Sequence, residues 1–290
     1  MDVYWQIKEK FVLPNAYQDW TKYRKYVTEL VMESAKINKG SEDKKWKKLL
    51  IVGAGQCNDF DLVELIQKYA EVTLLDVDNN AMQSAVSWMP ERVKSRIVLR
   101  EGTVTGITEE DQNELCADLL AKIMKHKKEL DRDSLMNMFT DSIHAYAKRL
   151  YQHEMDFVNI LPKNEYDVVV CLGVHSQLFS VFHYFINMLL YNVAQQIFYG
   201  QVLNDDFITM IFKSMNDHII PLFNSALLKC AGTRLILGNE YDSISPVEGA
   251  DQCIRNMRIR NINLKEEHVD WNFNPANDII YDMLFQIIDI

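Results

Sequence analysis

Between residues 48 and 102, short apolar runs alternate with segments of helical spacing. "KLLIVG" (48–53), "EVTLLDVD" (71–78) and "SRIVLREG" (95–102) read as strands. "DFDLVELIQKYA" (59–70), with Asp59 placed to cap it, and "NNAMQSAVSWM" (79–89) read as helices. The first two strands have no polar face, so both faces must be covered. Strands joined by helices of this length run parallel through right-handed crossovers. The chain therefore has to build an α/β fold on a parallel sheet.

The rhythm breaks after the third strand. Residues 107–162 read as amphipathic helix, "ITEEDQNELCADLLAKIMKHKKEL" and "DSLMNMFTDSIHAYAKRLYQHEM". "YDVVVCLG" (166–173) is a fourth strand, two long helical stretches follow at 177–199 and 204–230, and "TRLILGNEY" (233–241) is a fifth strand. The tail "VDWNFNPANDIIYDMLFQIIDI" fits two antiparallel strands or a strand and a helix. Before the first strand, Trp20, Tyr23, Val27, Leu30, Val31 and Ser34 fall close to one helical stripe. The resulting division is an N-terminal helical extension or lid at 1–45 and a core at 46–290, with a helical insertion at about 107–162. The aromatics Trp5, Tyr17, Trp20, Tyr23 and Tyr26 serve either as that lid or as core.

The 290 residues are ample for a sizeable core, and the formal net charge of −10 disfavours nucleic-acid backbones and anionic membranes as partners. The basic run "KKWKK" (44–48) reads as a solvated entry to the first strand. No stretch reaches the roughly 18 apolar residues of a membrane span. The densest, 181–198, is interrupted by His183, Asn187, Asn192, Gln195 and Gln196. "MDVYWQIKEK" lacks the basic and apolar regions of a signal peptide. Cys57, Cys116, Cys171, Cys230 and Cys253 form no C-x-x-C pair, which argues against a zinc site and a disulfide framework and suits the cytoplasm. His144 and His153 are spaced unsuitably for joint metal binding and read as surface residues, so no metal is expected.

In a parallel α/β sheet, ligands bind beyond the carboxyl ends of the strands near the switch point. Gly53 and Gly55 sit there after the first strand, where a missing Cβ lets a ligand touch the backbone. Asp76 and Asp78 end the second strand, and the first lies where a ribose would reach. A carboxylate there can accept from both ribose hydroxyls. A dinucleotide loop, G-x-G-x-x-G, would place its third glycine where Asn58 stands, and Asp59 would repel a pyrophosphate. A cofactor with a methionyl amino group tolerates that acid. No P-loop motif is present.

The succession "LLIVGAGQCNDFDL", "VTLLDVDNNAM" and "YDVVVCLGVHSQLF" resembles the motifs of class I S-adenosylmethionine-dependent methyltransferases, over roughly 46–105 and 164–245. The resemblance implies a Rossmann-like seven-stranded sheet ordered 3-2-1-4-5-7-6, its last strand antiparallel. It implies that Gly53, Ala54 and Gly55 lie at the methionine part of the cofactor, Asp76 at the ribose, and Val77 and Asp78 beside the adenine. Gly102 and Thr103 match the loop after the third strand, near the adenine amino group. Cys171, Leu172 and Gly173 match the end of the fourth strand, beside the methyl group. The sequence departs from the pattern at Ile51, where an acid is usual, at the third glycine, and at Glu101-Gly102-Thr103, where Gly-Asp is usual.

The expected function is methyl transfer from S-adenosylmethionine to a small-molecule acceptor. His175, two residues past the fourth strand, is either a candidate general base or a packing histidine in the turn, and Ser176, Gln177 and His183 are its companions. A nicotinamide-dependent oxidoreductase and a non-catalytic scaffold remain the alternatives. The sequence does not specify an oligomeric state.

Overall fold

The computed structural model describes residues 12–36, 47–106, 108–152, 161–198, 206–260 and 263–290. The five apolar runs form β1 (Lys48–Val52), β2 (Glu71–Asp76), β3 (Ile97–Glu101), β4 (Tyr166–Leu172) and β5 (Ala231–Tyr241). These strands pair in parallel. The tail is an antiparallel hairpin, β6 (Leu264–Asn274) and β7 (Ile279–Asp289), and β7 also runs antiparallel to β5. The sheet order is β3-β2-β1-β4-β5-β7-β6. Strands β1, β2 and β4, each with neighbours on both sides, are the most completely buried, whereas edge strand β3 leaves Val98 43% exposed. The order reverses between β1 and β4, and there the loops after β1, β2 and β4 open side by side: Val52 pairs with Leu75 on one side and Cys171 on the other.

The longer helices are α1 (Thr21–Ser34), α2 (Asn79–Ser87), α3 (Glu109–His126), α4 (Arg132–Gln152), α5 (Ser180–Ile197), α6 (Asp206–Cys230) and α7 (Ala250–Ile259). The segment 59–70 departs from expectation. Its only α-helical turn is Leu62–Leu65, and its cap is Asp61, which accepts from the Glu64 amide at 3.1 Å.

The tertiary structure divides into two units. The sheet unit takes in the described parts of Leu13–Thr103, Val158–Ser176 and Ile220–Ile290. On one face of its sheet, Tyr23, Val27 and Val31 of α1 pack on Leu49, Ile51, Val170, Ile236 and Phe285. Residues 13–36 are therefore part of the main core rather than a separate lid. Trp20 donates from Nε1 to the Phe273 carbonyl at 2.9 Å, and the Tyr23 ring stacks on Trp271 at 5.0 Å. Trp5 lies outside the described residues. The opposite face is served by α7, where Cys253, Ile254 and Met257 are buried, and Gln286 Nε2 donates to the Ile254 carbonyl at 3.3 Å.

The helical unit takes in the described parts of Val104–Phe157 and Gln177–Ile219. A capping box starts α3, with Asp111 N–H donating to Thr108 Oγ and Thr108 N–H to Asp111. Phe182 of α5 contacts Tyr146 of α4 and Phe212 of α6, with ring centroids 4.7 and 5.5 Å apart. The described part of the expected insertion, residues 108–152, is therefore not free-standing: it shares its core with α5 and the first part of α6, segments expected within the sheet core. His144 is exposed, as a surface residue, and His153 lies outside the described residues. All five cysteines are free and buried. Among the described residues no helix is long and apolar enough to cross a membrane, and no cluster could hold a metal ion.

Candidate cofactor site at the glycine loop

The glycine loop leaves β1 with a sharp turn. Gly53 has φ +73° and Gly55 φ +48°, left-handed values that favour glycine. The two positions differ in surroundings. A Cβ on Gly53 would lie 2.1 Å from Val174 Cγ2, so this glycine lets the β1 and β4 loops touch. A Cβ on Gly55 would meet nothing within 4 Å, so it borders open space. Cys57 also adopts a left-handed φ, +54°, although it carries a Cβ and is buried. Ala54 is buried, and its N–H, like that of Gly53, donates to the Leu75 carbonyl.

Asp76 stands at the centre of this end of the sheet. Its Oδ2 accepts from the Gly55 amide at 2.8 Å, and its Oδ1 accepts from the Asp78 amide at 2.8 Å. Its own carbonyl accepts from the Gly102 amide at 3.0 Å. One residue thus joins the loops after β1, β2 and β3. A carboxylate oxygen has two lone pairs, so the carboxylate retains acceptor capacity after binding both amides. Asp78 is largely committed elsewhere: it caps α2 by accepting from the Ala81 amide at 2.9 Å. Val77, 38% exposed, stands at the rim. Gly102 and Thr103 are half-buried beside it.

The end of β4 holds two corrections. Cys171 is fully buried, with its thiol raised by desolvation and by the neighbouring Cys253, so its side chain points under the sheet towards α7. Only backbone can face a ligand at that position. Leu172 is 9% exposed, and Gly173, φ +63°, donates to the Gly238 carbonyl at 2.8 Å. His175 is no surface base. It has no exposed area, packs on Phe223, and its Nε2 lies 2.9 Å from Asn224 Oδ1. Asn224 Nδ2 donates to Asn256 Oδ1 at 3.0 Å, which leaves Asn224 Oδ1 as acceptor and puts the imidazole proton on Nε2. Burial lowers the His175 pKa to about 4 against the hydrogen bonds to Asn224 and Asn239, so the ring is neutral at pH 7. Ser176, by contrast, is half-buried and donates to Glu240 Oε1 at 3.0 Å. Gln177 and His183 belong to the helical unit, where His183 stacks on Phe212 at 4.5 Å.

Sequence reasoning gave Glu240 no role. It is the penultimate residue of β5, is 9% exposed, and its carboxyl is raised by burial, with a backbone hydrogen bond and the Ser176 hydrogen bond opposing. Asp59, read there as a cap, is pushed up to about 7 by burial and by Glu240, against the Arg24 guanidinium. The sequence signal was an acid shortly after the apolar centre of a strand, "LILGNE".

These residues fit a nucleoside-bearing cofactor on two counts: open space at Gly55, and a carboxylate beside it already fixed by two amides. No protein-family model matches the chain, and no curated protein matches it. Among solved structures it is similar to a SAM-dependent methyltransferase from Aquifex aeolicus, at 11% identity over 98% of each chain with TM-score 0.42. It is similar to magnesium protoporphyrin IX methyltransferase from Synechocystis PCC 6803 with bound SAM, at 10% identity over 98% of this chain and 89% of that one, TM-score 0.41. Spermidine synthase from Thermotoga maritima is similar at 10% identity over 94% of this chain and 60% of that one, TM-score 0.42. At these values neither activity nor ligand carries over. The strand order with its reversed β7, and a glycine loop at the switch point joined to an acid ending β2, make this the class I methyltransferase fold.

Proposed function

We propose that the chain is an S-adenosylmethionine-dependent methyltransferase acting on a small-molecule acceptor. The observation that carries this reading is the Asp76 carboxylate, held by the Gly55 and Asp78 amides beside the open space at Gly55. When bound, the cofactor supplies an electrophilic methyl group on a sulfonium, and the protein's task is orientation and exclusion of water. The loop Gly53–Gly55 receives the methionine portion, the free lone pairs of Asp76 receive the ribose hydroxyls, and Val77, Gly102 and Thr103 border the base. The acceptor faces the ends of β4 and β5, where Ser176 and Glu240 are the polar groups. His175, neutral and turned inward, fixes the β4 turn. The net charge of −10 supports a small molecule over nucleic acid as acceptor. Half-buried Asp59, beside the loop, disfavours the pyrophosphate of a nicotinamide cofactor. Titration calorimetry with S-adenosylhomocysteine and with NAD tests the reading. Micromolar binding of the first and none of the second is expected; NAD binding with silence towards S-adenosylhomocysteine would overturn it.

A further inference from the structure

Buried polar atoms are almost always hydrogen-bonded, so a group of exceptions in one place calls for an explanation. Asp59 Oδ1, Glu240 Oε2 and Trp271 Nε1 are all shielded from solvent and have no hydrogen-bond partner among the described residues. All three belong to the sheet unit, and the strand register brings two of them to one face. Glu240 pairs with Met283 across β5 and β7, and Trp271 pairs with Tyr281 across β6 and β7. Paired residues share a face, as do alternate residues on a strand. Glu240, Met283, Tyr281 and Trp271 therefore share the face that α1 covers. Tyr23 of α1 stacks on Trp271 there, and the Tyr281 ring lies 6.0 Å from Trp271. Asp59 comes to the same side from a loop tied to α1 on either side of it: Arg24 Nη1 donates to the Asn58 carbonyl at 3.2 Å and the Asp61 amide to Thr28 Oγ1 at 3.0 Å, and after burial Asp59 and then Glu240 raise the Tyr23 hydroxyl. Glu240 also raises Tyr281.

Glu240 is more than nine-tenths buried, yet it has no ion-pair partner among the described residues, and the Ser176 hydroxyl satisfies only one of its oxygens. Arg24 offsets Asp59 in part, its Nη1 donating to the Asn58 carbonyl at 3.2 Å. Two carboxylates walled by aromatic rings have the chemistry that recognises a cationic nitrogen, through charge-assisted hydrogen bonds and through the negative faces of the rings.

We propose that Asp59 and Glu240 form a site for one ammonium nitrogen at the carboxyl end of β5, against Tyr23, Trp271 and Tyr281. In locating the ligand, the proposal rests on the methyltransferase reading above. The nitrogen comes from the aminoacyl tail of the cofactor or from an amine on the acceptor.

The test uses the full chain and its Asp59→Asn and Glu240→Gln variants, titrated with S-adenosylhomocysteine, with 5′-methylthioadenosine, which lacks the tail, and with propylammonium against 1-propanol. If the tail supplies the nitrogen, each variant weakens S-adenosylhomocysteine at least tenfold and leaves 5′-methylthioadenosine within twofold. If the acceptor supplies it, S-adenosylhomocysteine is unchanged, while the parent binds propylammonium but not propanol and the variants lose that binding. The Glu240→Gln variant should melt at or above the parent temperature, since it removes a buried carboxylate that has no ion-pair partner among the described residues. The proposal is overturned if the variants leave every titration as in the parent, if both nucleosides weaken alike, or if Glu240→Gln melts lower. A parent that ignores S-adenosylhomocysteine sinks the methyltransferase reading separately, and the propylammonium comparison still decides this one.

Discussion

Replacing each loop glycine by alanine should separate folding from binding. Both residues have left-handed φ, which costs an L-residue about 1–2 kcal/mol. At Gly53 the new methyl would start 2.1 Å from Val174 Cγ2. Val174 or the loop must then move, which adds about 1–3 kcal/mol of overpacking. Gly53→Ala should therefore destabilise by about 2–5 kcal/mol. At Gly55 the methyl meets nothing within 4 Å, so only the conformational cost remains, about 1–2 kcal/mol. That methyl would occupy the space proposed for the ligand, so S-adenosylhomocysteine affinity should fall at least tenfold, or about 1.4 kcal/mol. Urea midpoints give the stability difference and calorimetry the affinity. Equal destabilisation at the two positions would refute the Val174 contact as the reason for Gly53. A folded Gly55→Ala that binds S-adenosylhomocysteine like the parent would refute the placement of the ligand.

Asp76→Ala should cost about 2–4 kcal/mol in urea unfolding, because the Gly55 and Asp78 amides both lose a charged acceptor, and Asp76→Asn should fall between it and the parent. Asp78→Ala should cost about 0.5–2 kcal/mol, the loss of a helix cap. His175 has a folded pKa of about 4, below its ordinary 6.5, so its contribution is complete above pH 6.5 and is lost as pH falls towards 4. It should remove about 2 kcal/mol between pH 7 and pH 5. Asp59, at about 7 in the folded chain, acts in the opposite sense, so the parent is compared with His175→Asn, whose stability should fall less over that range. Trimming 110–158 to a short linker should yield aggregated protein by size exclusion, because it strips Tyr146 from Phe182; a soluble, monodisperse product would contradict the shared helical core.

Strands β1, β2, β4 and β5 were legible because sheet positions covered on both faces admit only apolar residues, and "VVVCL" or "LLIV" fits little else. The positions of the glycine loop after β1 and of Asp76 at the end of β2 were legible because they depend on strand order, which local sequence constrains. What sequence left open depends on direction. The tail was ambiguous between hairpin and helix because β6 is half polar, one side of it exposed, and β7 is an apolar run that Asp282 and Gln286 interrupt in sequence. Helix α7 was missed since the only large apolar residues on its buried side are Ile254 and Met257, beside Ala250, Gln252 and Cys253 and among charged neighbours. His175 was placed at the correct strand end, but whether it faces ligand or core is decided by the turn through residues 173–177. Asp59 and Glu240, 181 residues apart in sequence, come to the same end of the sheet only because β1 and β5 flank β4 in one parallel sheet.

The five buried thiols make the chain its own reporter of opening. A thiol alkylates as thiolate, and burial pushes Cys116, Cys230 and Cys253 up to about 12, with Cys57 and Cys171 raised further. In the closed state all should be silent to iodoacetamide at neutral pH, so any labelling counts excursions in which the surrounding structure has come apart. Cys116 lies in the helical unit and the other four in the sheet unit. Peptide-resolved alkylation rates would therefore time the two units independently on one unmodified chain. A ligand seated at the glycine loop should slow Cys57 first, since that residue sits two positions beyond Gly55, in the only stretch of the loop where a side chain has been forced into a glycine's conformation.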